Sequence, residues 1–426
     1  MGQTKNWLEK HSQELFRLSE DIFLHPEVAE QEHYACERLC AFLEEQGFSV
    51  TWPVGGLDTA FRADWGDTGP AIGLMAEYDA LPDSFQKVEA VPSEAAQGPG
   101  HACGHQLIAA VCAGAAAALR EWAERTGKSM RLSVFGCPAE ETMKGKVALA
   151  KAGLFEGLDV AVCWHPEDFN GAVAYACSAI SIVQYHFRGI SAHAGAAPHL
   201  GRSALDACEL MNVGANYLRE HVEPSVRFHY AYLNAPAAPN VVPAEAALVY
   251  YIRGQDLKQV RAIQKRLGAV AEGAAMMAGV SCEQRTVTEV PETRPDIPLT
   301  WMADQVLSEL TLKTFTGEEL DFAEKLQKNS GILEAKAILE EGRRPFDGRL
   351  ERRYGSSDVA AVSERVPTVM LRNTCVPSGI AQHHWAFAAS CASTIGFRGM
   401  QNGIRFVTAF VKAFVQSEET KREGEL

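Results

Sequence analysis

Met130-Arg131-Leu132-Ser133-Val134-Phe135-Gly136-Cys137-Pro138-Ala139-Glu140-Glu141 decides how the chain is read. Its first half is an apolar run of strand length. Gly136 and Pro138 then break it, so two adjacent carboxylates follow the end of a strand. In an open α/β sheet that end is where ligands bind. Neighbouring side chains leave the backbone in different directions, so one carboxylate can hold a metal while the other moves a proton. A solvated acidic loop would be spelled the same way.

Outward from this stretch the pattern alternates. A small-residue helix, Leu107–Trp122, precedes it, and a strand, Leu158–Trp164, follows and ends at His165. Earlier come a helix with the stripe Trp7, Leu8, Leu15, Phe16, Leu18 and Ile22, and a second helix from about Glu32 to Gln46. Short apolar runs follow at Phe48–Trp52, Ala60–Ala63 and Ala71–Ala76. Alternation of this kind predicts an α/β domain, a mixed sheet with helices on both faces. Near residue 184 the order changes to strand Val183–Phe187, helix Ala204–His221, strands Phe228–Leu233 and Ala247–Arg253, helix Leu257–Ala278 and strand Val280–Thr288. That is the ferredoxin-like β-α-β-β-α-β order, closed by the turn-rich Pro291–Pro295. The expectation is a large domain made of residues 1–183 and 297–426, with residues 184–296 inserted as a smaller α+β domain. Asp83–Gly100 and Thr316–Arg353 read as long loops.

Composition narrows the function. Of 426 residues, 47% are hydrophobic and 22% charged, which excludes disorder along the whole chain. Forty basic against 54 acidic residues leave a net charge of −14 and no basic block, so nucleic acid is not an expected partner. No apolar run reaches the ~20 residues of a membrane helix. The first residues lack the apolar core of a signal peptide, so the expected location is the cytoplasm. Eleven scattered cysteines without a CxxC pair read as reduced thiols. Cys36 and Cys40, one helical turn apart, read as packing residues.

Several short stretches carry chemistry. In His101-Ala102-Cys103-Gly104-His105 a glycine turn can present a thiolate and an imidazole to one ion, although a buried thiol beside a capping histidine gives the same letters. Trp164-His165-Pro166 ends a strand. His383-His384-Trp385 offers two imidazoles, either of which could be a ligand. The inserted domain holds Ser191-Ala192-His193-Ala194-Gly195, Asn240-Val241-Val242-Pro243 and Tyr250-Tyr251-Ile252-Arg253. Alone, each is more often structural. Together, Cys103, His105, Glu141, His165 and one C-terminal histidine are enough donors for two divalent ions sharing a bridging water.

These residues resemble the dinuclear-metal aminoacylase/carboxypeptidase family, and within it the aminobenzoyl-glutamate utilisation amidohydrolases. The likeness runs nearly end to end and is carried by Ala76-Glu77-Tyr78-Asp79-Ala80-Leu81-Pro82, Pro99–His105, Pro138–Glu141, Pro239–Pro243 and Gly355-Ser356-Ser357-Asp358-Val359. The resemblance implies Cys103, His105, Glu141, His165 and His383 as metal ligands and Glu140 as general base. His193 would meet the developing oxyanion, and Asn240, Arg253 and Gly355 would contact substrate. It also implies a homodimer through the inserted lid domain, with His193 completing the partner's site. Gln106 stands where relatives carry Asn or Asp, and Glu77 where other branches carry a ligating His.

The expected activity is hydrolysis of the C–N bond of an N-acyl or N-aroyl amino acid, or of a dipeptide-like substrate. Arg253 makes a carboxylate on that substrate the expectation. A hydroxide bridging two ions, zinc or manganese, would attack. Two alternatives use the same fold: hydrolytic deamination of an activated aromatic amine, and a non-catalytic binding protein.

Overall fold

A computed structural model describes residues 4–93, 98–236, 238–332 and 337–424. The chain opens with α1 (Thr4–Leu24), α2 (His33–Glu45), β1 (Ser49–Thr51), β2 (Phe61–Trp65) and β3 (Ala71–Glu77). Then come α3 (His105–Thr126), β4 (Arg131–Cys137), α4 (Gly145–Lys151), β5 (Val160–Glu167), β6 (Gly171–Val173) and β7 (Tyr175–Cys177). The next run is β8 (Ala179–Arg188), α5 (Ala204–Leu218), β9 (Arg227–Asn234), β10 (Glu245–Gly254), α6 (Leu257–Ala278) and β11 (Ser281–Val290). The chain closes with α7 (Ile297–Glu309), α8 (Gly317–Asn329), β12 (Glu351–Arg353), α9 (Val359–Ser363), β13 (Thr368–Thr374), α10 (Trp385–Cys391) and α11 (Thr394–Gly424).

Two compact units result. The larger is Met1–Tyr175 with Arg294–Glu351 and Ala361–Leu426, and the smaller is Ala176–Thr293 with Arg352–Ala360. The larger unit is built on a seven-stranded sheet in the order β1-β2-β4-β3-β5-β13-β6. Its four middle strands are parallel, β2 and β6 run antiparallel to them, and β1 pairs antiparallel with β2 at the edge, so the sheet is mixed. β3 is buried along its whole length, which requires cover on both faces of the sheet. α1, α3 and α11 pack on one another and share the main core with the sheet.

The middle of α3, Ala109–Ala118, is Ala, Gly, Cys and Val alone, so it can lie close to its neighbours. It begins at His105 rather than at Leu107, because Gly104 takes the left-handed conformation at φ 76° and turns the chain directly into the helix. The smaller unit is a four-stranded antiparallel sheet in the order β11-β8-β10-β9, with α5 and α6 on its core. This is the ferredoxin-like arrangement. β8 starts at Ala179, ahead of Val183, because Ala179–Ile182 already pair with β10. β9 is an edge strand with mostly exposed side chains.

The stretch Thr316–Arg353 is not one loop. It contains α8, whose start is fixed by a capping box between Thr316 and Glu319. Residues 333–336 of it, and residues 94–97 of the Asp83–Gly100 loop, lie outside the described residues. Among the described residues, no helix is long and apolar enough to cross a membrane.

Candidate metal centre

The four parallel strands share one direction, so their C-terminal ends lie along one edge of the sheet. β3 delivers Glu77 and, just beyond it, Asp79. β4 delivers the turn to Glu140 and Glu141, and β5 carries His165 near its end. Cys103 and His105 come from the entry to α3.

The turn after β4 is held by two remote carboxylates. Ala139 sits in the left-handed region at φ 56°, and its N–H donates to Glu32 Oε1 at 2.8 Å. Glu32 Oε2 accepts from Thr59 at 2.9 Å. The Glu141 N–H donates to Asp79 Oδ2 at 2.9 Å. Fixed in this way, the adjacent carboxylates face different donors, Glu140 grouping with Glu77 and His105, and Glu141 with Cys103 and His383.

The donors come close to one another. Cys103 Sγ is 3.5 Å from His165 Nε2. His383 Nε2 is 3.3 Å from Glu141 Oε1, which is 4.0 Å from His105 Nε2. Two ligands of one ion at ~2.1 Å and tetrahedral angles stand ~3.4 Å apart, so these separations suit a shared cation. His105 Nε2 and Glu141 Oε1 are buried with no hydrogen-bond partner. A buried polar atom without a partner costs ~1–3 kcal/mol, and a bound cation would remove that cost. The residues therefore fit a divalent metal.

Electrostatics agree. Burial, then Arg372, pushes His165 down to about 3, so the ring is neutral and able to ligate. Burial opposes charge on His105, but Cys103 and Asp79 outweigh it and draw the ring above its ordinary range; these anions favour a cation at the site, and a metal there would have to displace the ring's proton. Burial also pushes the Cys103 thiol up, so its ionisation calls for a neighbouring cation.

The neighbouring histidines at the C-terminal side part ways. His383 takes φ 66°, and its N–H donates to Ala102 O at 2.9 Å, which brings its ring to Glu141. His384 is the N-cap of α10, and its Nδ1 accepts the Ala386 N–H at 3.2 Å. Only His383 of the two joins a donor group among the described residues.

Residues given no role by the sequence also line the cluster. Glu77 Oε2 lies 3.5 Å from His105 Nε2, and Glu77 Oε1 lies 2.7 Å from the fully buried Lys146 Nζ. Asp79 Oδ1 meets His105 Nδ1. The readable signal was a Glu-x-Asp pair closing the most buried strand. Gln106 is fully buried, and neither end of its amide has a hydrogen-bond partner.

The remaining candidates lie in the smaller unit. His193 and Asn240 are brought together: His193 bridges Val241, and the Ala194 N–H donates to Asn240 O at 2.9 Å. Both side chains are exposed. His193 Nδ1 accepts the N–H groups of Gly195 and Ala196 at 3.2 and 3.1 Å. Arg253 and Gly355 are not beside them. Arg253 pairs with Ile180 at one end of β10, whereas Glu245 pairs with Arg188 at the other, the end nearer His193. At ~3.3 Å per residue these two ends are ~26 Å apart. The Gly355 carbonyl accepts the Ser178 N–H at 2.8 Å, close to the Arg253 end.

The sequence signature of Peptidase family M20/M25/M40 matches residues 73–413. The chain belongs to this family. As an M20-family protein it is a hydrolase of amide and peptide bonds, which sets aside a purely binding role, and the family is metal-dependent. One of the p-aminobenzoyl-glutamate hydrolase subunits of Escherichia coli K12 is 33% identical over 419 residues, spanning 92% of this chain and 87% of that protein. Two solved structures share the fold. An aminobenzoyl-glutamate utilization protein from Klebsiella pneumoniae aligns with TM-score 0.65 at 16% identity, over 93% of this chain and 98% of that one. A dinuclear metal binding peptidase of the M20 family from Bacillus subtilis aligns with TM-score 0.58 at 19% identity, over 93% and 98%.

Proposed function

We propose that this M20-family hydrolase cleaves the amide bond of an N-acyl or N-aroyl amino acid, using two divalent ions held by Cys103, His105, Glu141, His165 and His383. The observation that carries the reading is the membership of Cys103 in two donor groups, one with His105 and His165 and one with Glu141 and His383. Two neighbouring ions satisfy both groups. Zinc suits the thiolate, and manganese suits the carboxylates. When bound, such ions supply Lewis acidity toward the amide carbonyl and the attacking water.

The chain's own residues do the rest. Glu140 takes the proton of the attacking water and returns it to the leaving nitrogen. With Nδ1 accepting two backbone N–H groups, the neutral His193 ring carries its proton on Nε2, the form that donates to an oxyanion. Arg253 is half-buried, stacks near Tyr251, and among the described residues has no carboxylate in ion-pair reach. We assign it the substrate carboxylate, which a guanidinium can grip bidentately. The length of β10 keeps Arg253 from serving the same small substrate as His193 and Asn240 of its own chain. A homodimer through the smaller unit, edge strand β9 included, supplies them from a second copy. All eleven cysteines are free thiols, which suits the cytoplasm.

The test is a substrate screen of the zinc- or manganese-loaded protein with product analysis. Free amine plus carboxylic acid from aroyl- and acyl-amino acids is expected, and ammonia from aromatic amines would move the reading to deamination. Arg253→Ala should raise KM by ~10–100-fold, equivalent to ~1.5–3 kcal/mol. Equal cleavage of analogues lacking the carboxylate would remove Arg253 from the site.

A further inference from the structure

Lys146 is fully buried at the start of α4, and its ammonium lies 2.7 Å from Glu77 Oε1. A buried ion pair is seldom a gain in stability over apolar residues of the same size, so its place in the molecule matters. The second oxygen, Oε2, stands 3.5 Å from His105 Nε2. That is the spacing of the Cys103–His165 pair and close to that of the His383–Glu141 pair. Glu77, His105 and Glu140 also present donor atoms within 4.8 Å of one another. His105 Nε2, at which Glu77 aims, is buried and has no hydrogen-bond partner.

Charge points the same way. Glu77, Asp79, Glu140, Glu141 and a Cys103 thiolate bring five negative charges to the cluster. Two divalent ions leave one of them over, and Lys146 carries the matching positive charge. Arg372, whose charge acts on His165, faces Glu167 at 4.0 Å.

We propose that Glu77 is a further donor of the metal centre, with Lys146 as its built-in counter-cation and positioning residue. This rests on the metal-centre reading above. Lys146 then keeps the carboxylate's added charge from overloading the site.

The experiment uses the full chain, stripped with a chelator and titrated with Co2+. Visible d–d absorption, bound cobalt and the thermal midpoint with and without the ion are read. A wild-type chain that takes up no Co2+ overturns the metal-centre reading itself. Given wild-type uptake, Glu77→Gln should weaken binding by at least ~10-fold, change the d–d spectrum and shrink the cobalt-induced rise in midpoint. Lys146→Met should act in the opposite sense on that rise. It lowers the metal-free midpoint, because a buried carboxylate loses its partner, and enlarges the gain on adding Co2+. The double variant Glu77→Gln/Lys146→Met removes both charges and so avoids a lone buried ion. It should fold and keep the weakened uptake. A double variant with wild-type uptake and spectrum would show the pair to be structural only and overturn the proposal.

Discussion

Asp79 Oδ1 lies 2.9 Å from His105 Nδ1, which leaves Nε2 of that ring facing the donor cluster. The other oxygen of the same carboxylate accepts the Glu141 N–H at 2.9 Å, so one side chain sets two proposed ligands. Asp79→Asn can turn an amide N–H toward the ring and reverse its tautomer. Metal affinity should fall by ~10–100-fold, read by equilibrium dialysis. Unchanged affinity would leave Asp79 a structural residue.

Glu140 and the ligands should separate cleanly. Cys103→Ala or His165→Ala loses metal and turnover together, whereas Glu140→Gln keeps its metal and loses most of kcat, by ~10²–10⁴-fold for a proton-transfer residue. Metal analysis beside steady-state kinetics reads both, and an active Glu140→Gln chain would refute the proton-transfer role.

His383 and His384 should fail in different ways. His383→Ala is expected to lose metal. His384→Ala removes the cap of α10, so stability drops on the order of 1 kcal/mol with metal content intact. The reverse pattern in metal analysis and urea denaturation would exchange the two assignments.

Glu32 predicts a pH dependence. Burial pushes its carboxyl from 4.5 up to about 7. An acid that holds its proton more tightly when folded favours the folded state at low pH, so its contribution declines as pH rises from about 4.5 to about 7 and is flat above. Glu32→Gln keeps an oxygen for the Ala139 N–H and abolishes the titration. Relative to wild type, the variant should gain up to ~3 kcal/mol across that window, measured by urea denaturation at each pH. A difference that does not vary with pH would refute this.

Legibility in the sequence follows the range of the interactions. The ferredoxin-like order of the smaller unit was legible because each strand and helix announces itself by its own periodicity, as in Leu257–Ala278 and Ala247–Arg253. Cys103, His105, Glu141, His165 and His383 could be grouped because strand ends in one parallel sheet converge. The pairing of Glu77 with Lys146 was not legible. It joins the end of β3 to the start of α4, and a lysine opening a short helix looks solvated until the fold buries it. Thr316 and Glu319 spell a capping box inside a stretch that otherwise reads as loop. Where His193 stands relative to Arg253 depends on strand register, which no single motif encodes.

The shared-site proposal is tested by complementation. His193→Ala and Glu140→Gln homodimers should each be nearly inactive. Mixed dimers hold one site with both residues intact and should recover activity, up to about half of the wild-type rate per mixed dimer, as one of two symmetric sites is whole. No recovery after proven subunit exchange would sink the proposal.

β10 is, in effect, a ruler. Its register holds Arg253 at one end and the neighbourhood of His193 and Asn240 at the other, and hydrogen bonds along both edges keep it from stretching or bending to bring them together. On the shared-site proposal, a solitary chain can grip a substrate or steady its reacting carbonyl, but not both at once. Turnover per molecule would then fall on dilution below the dimer's dissociation constant.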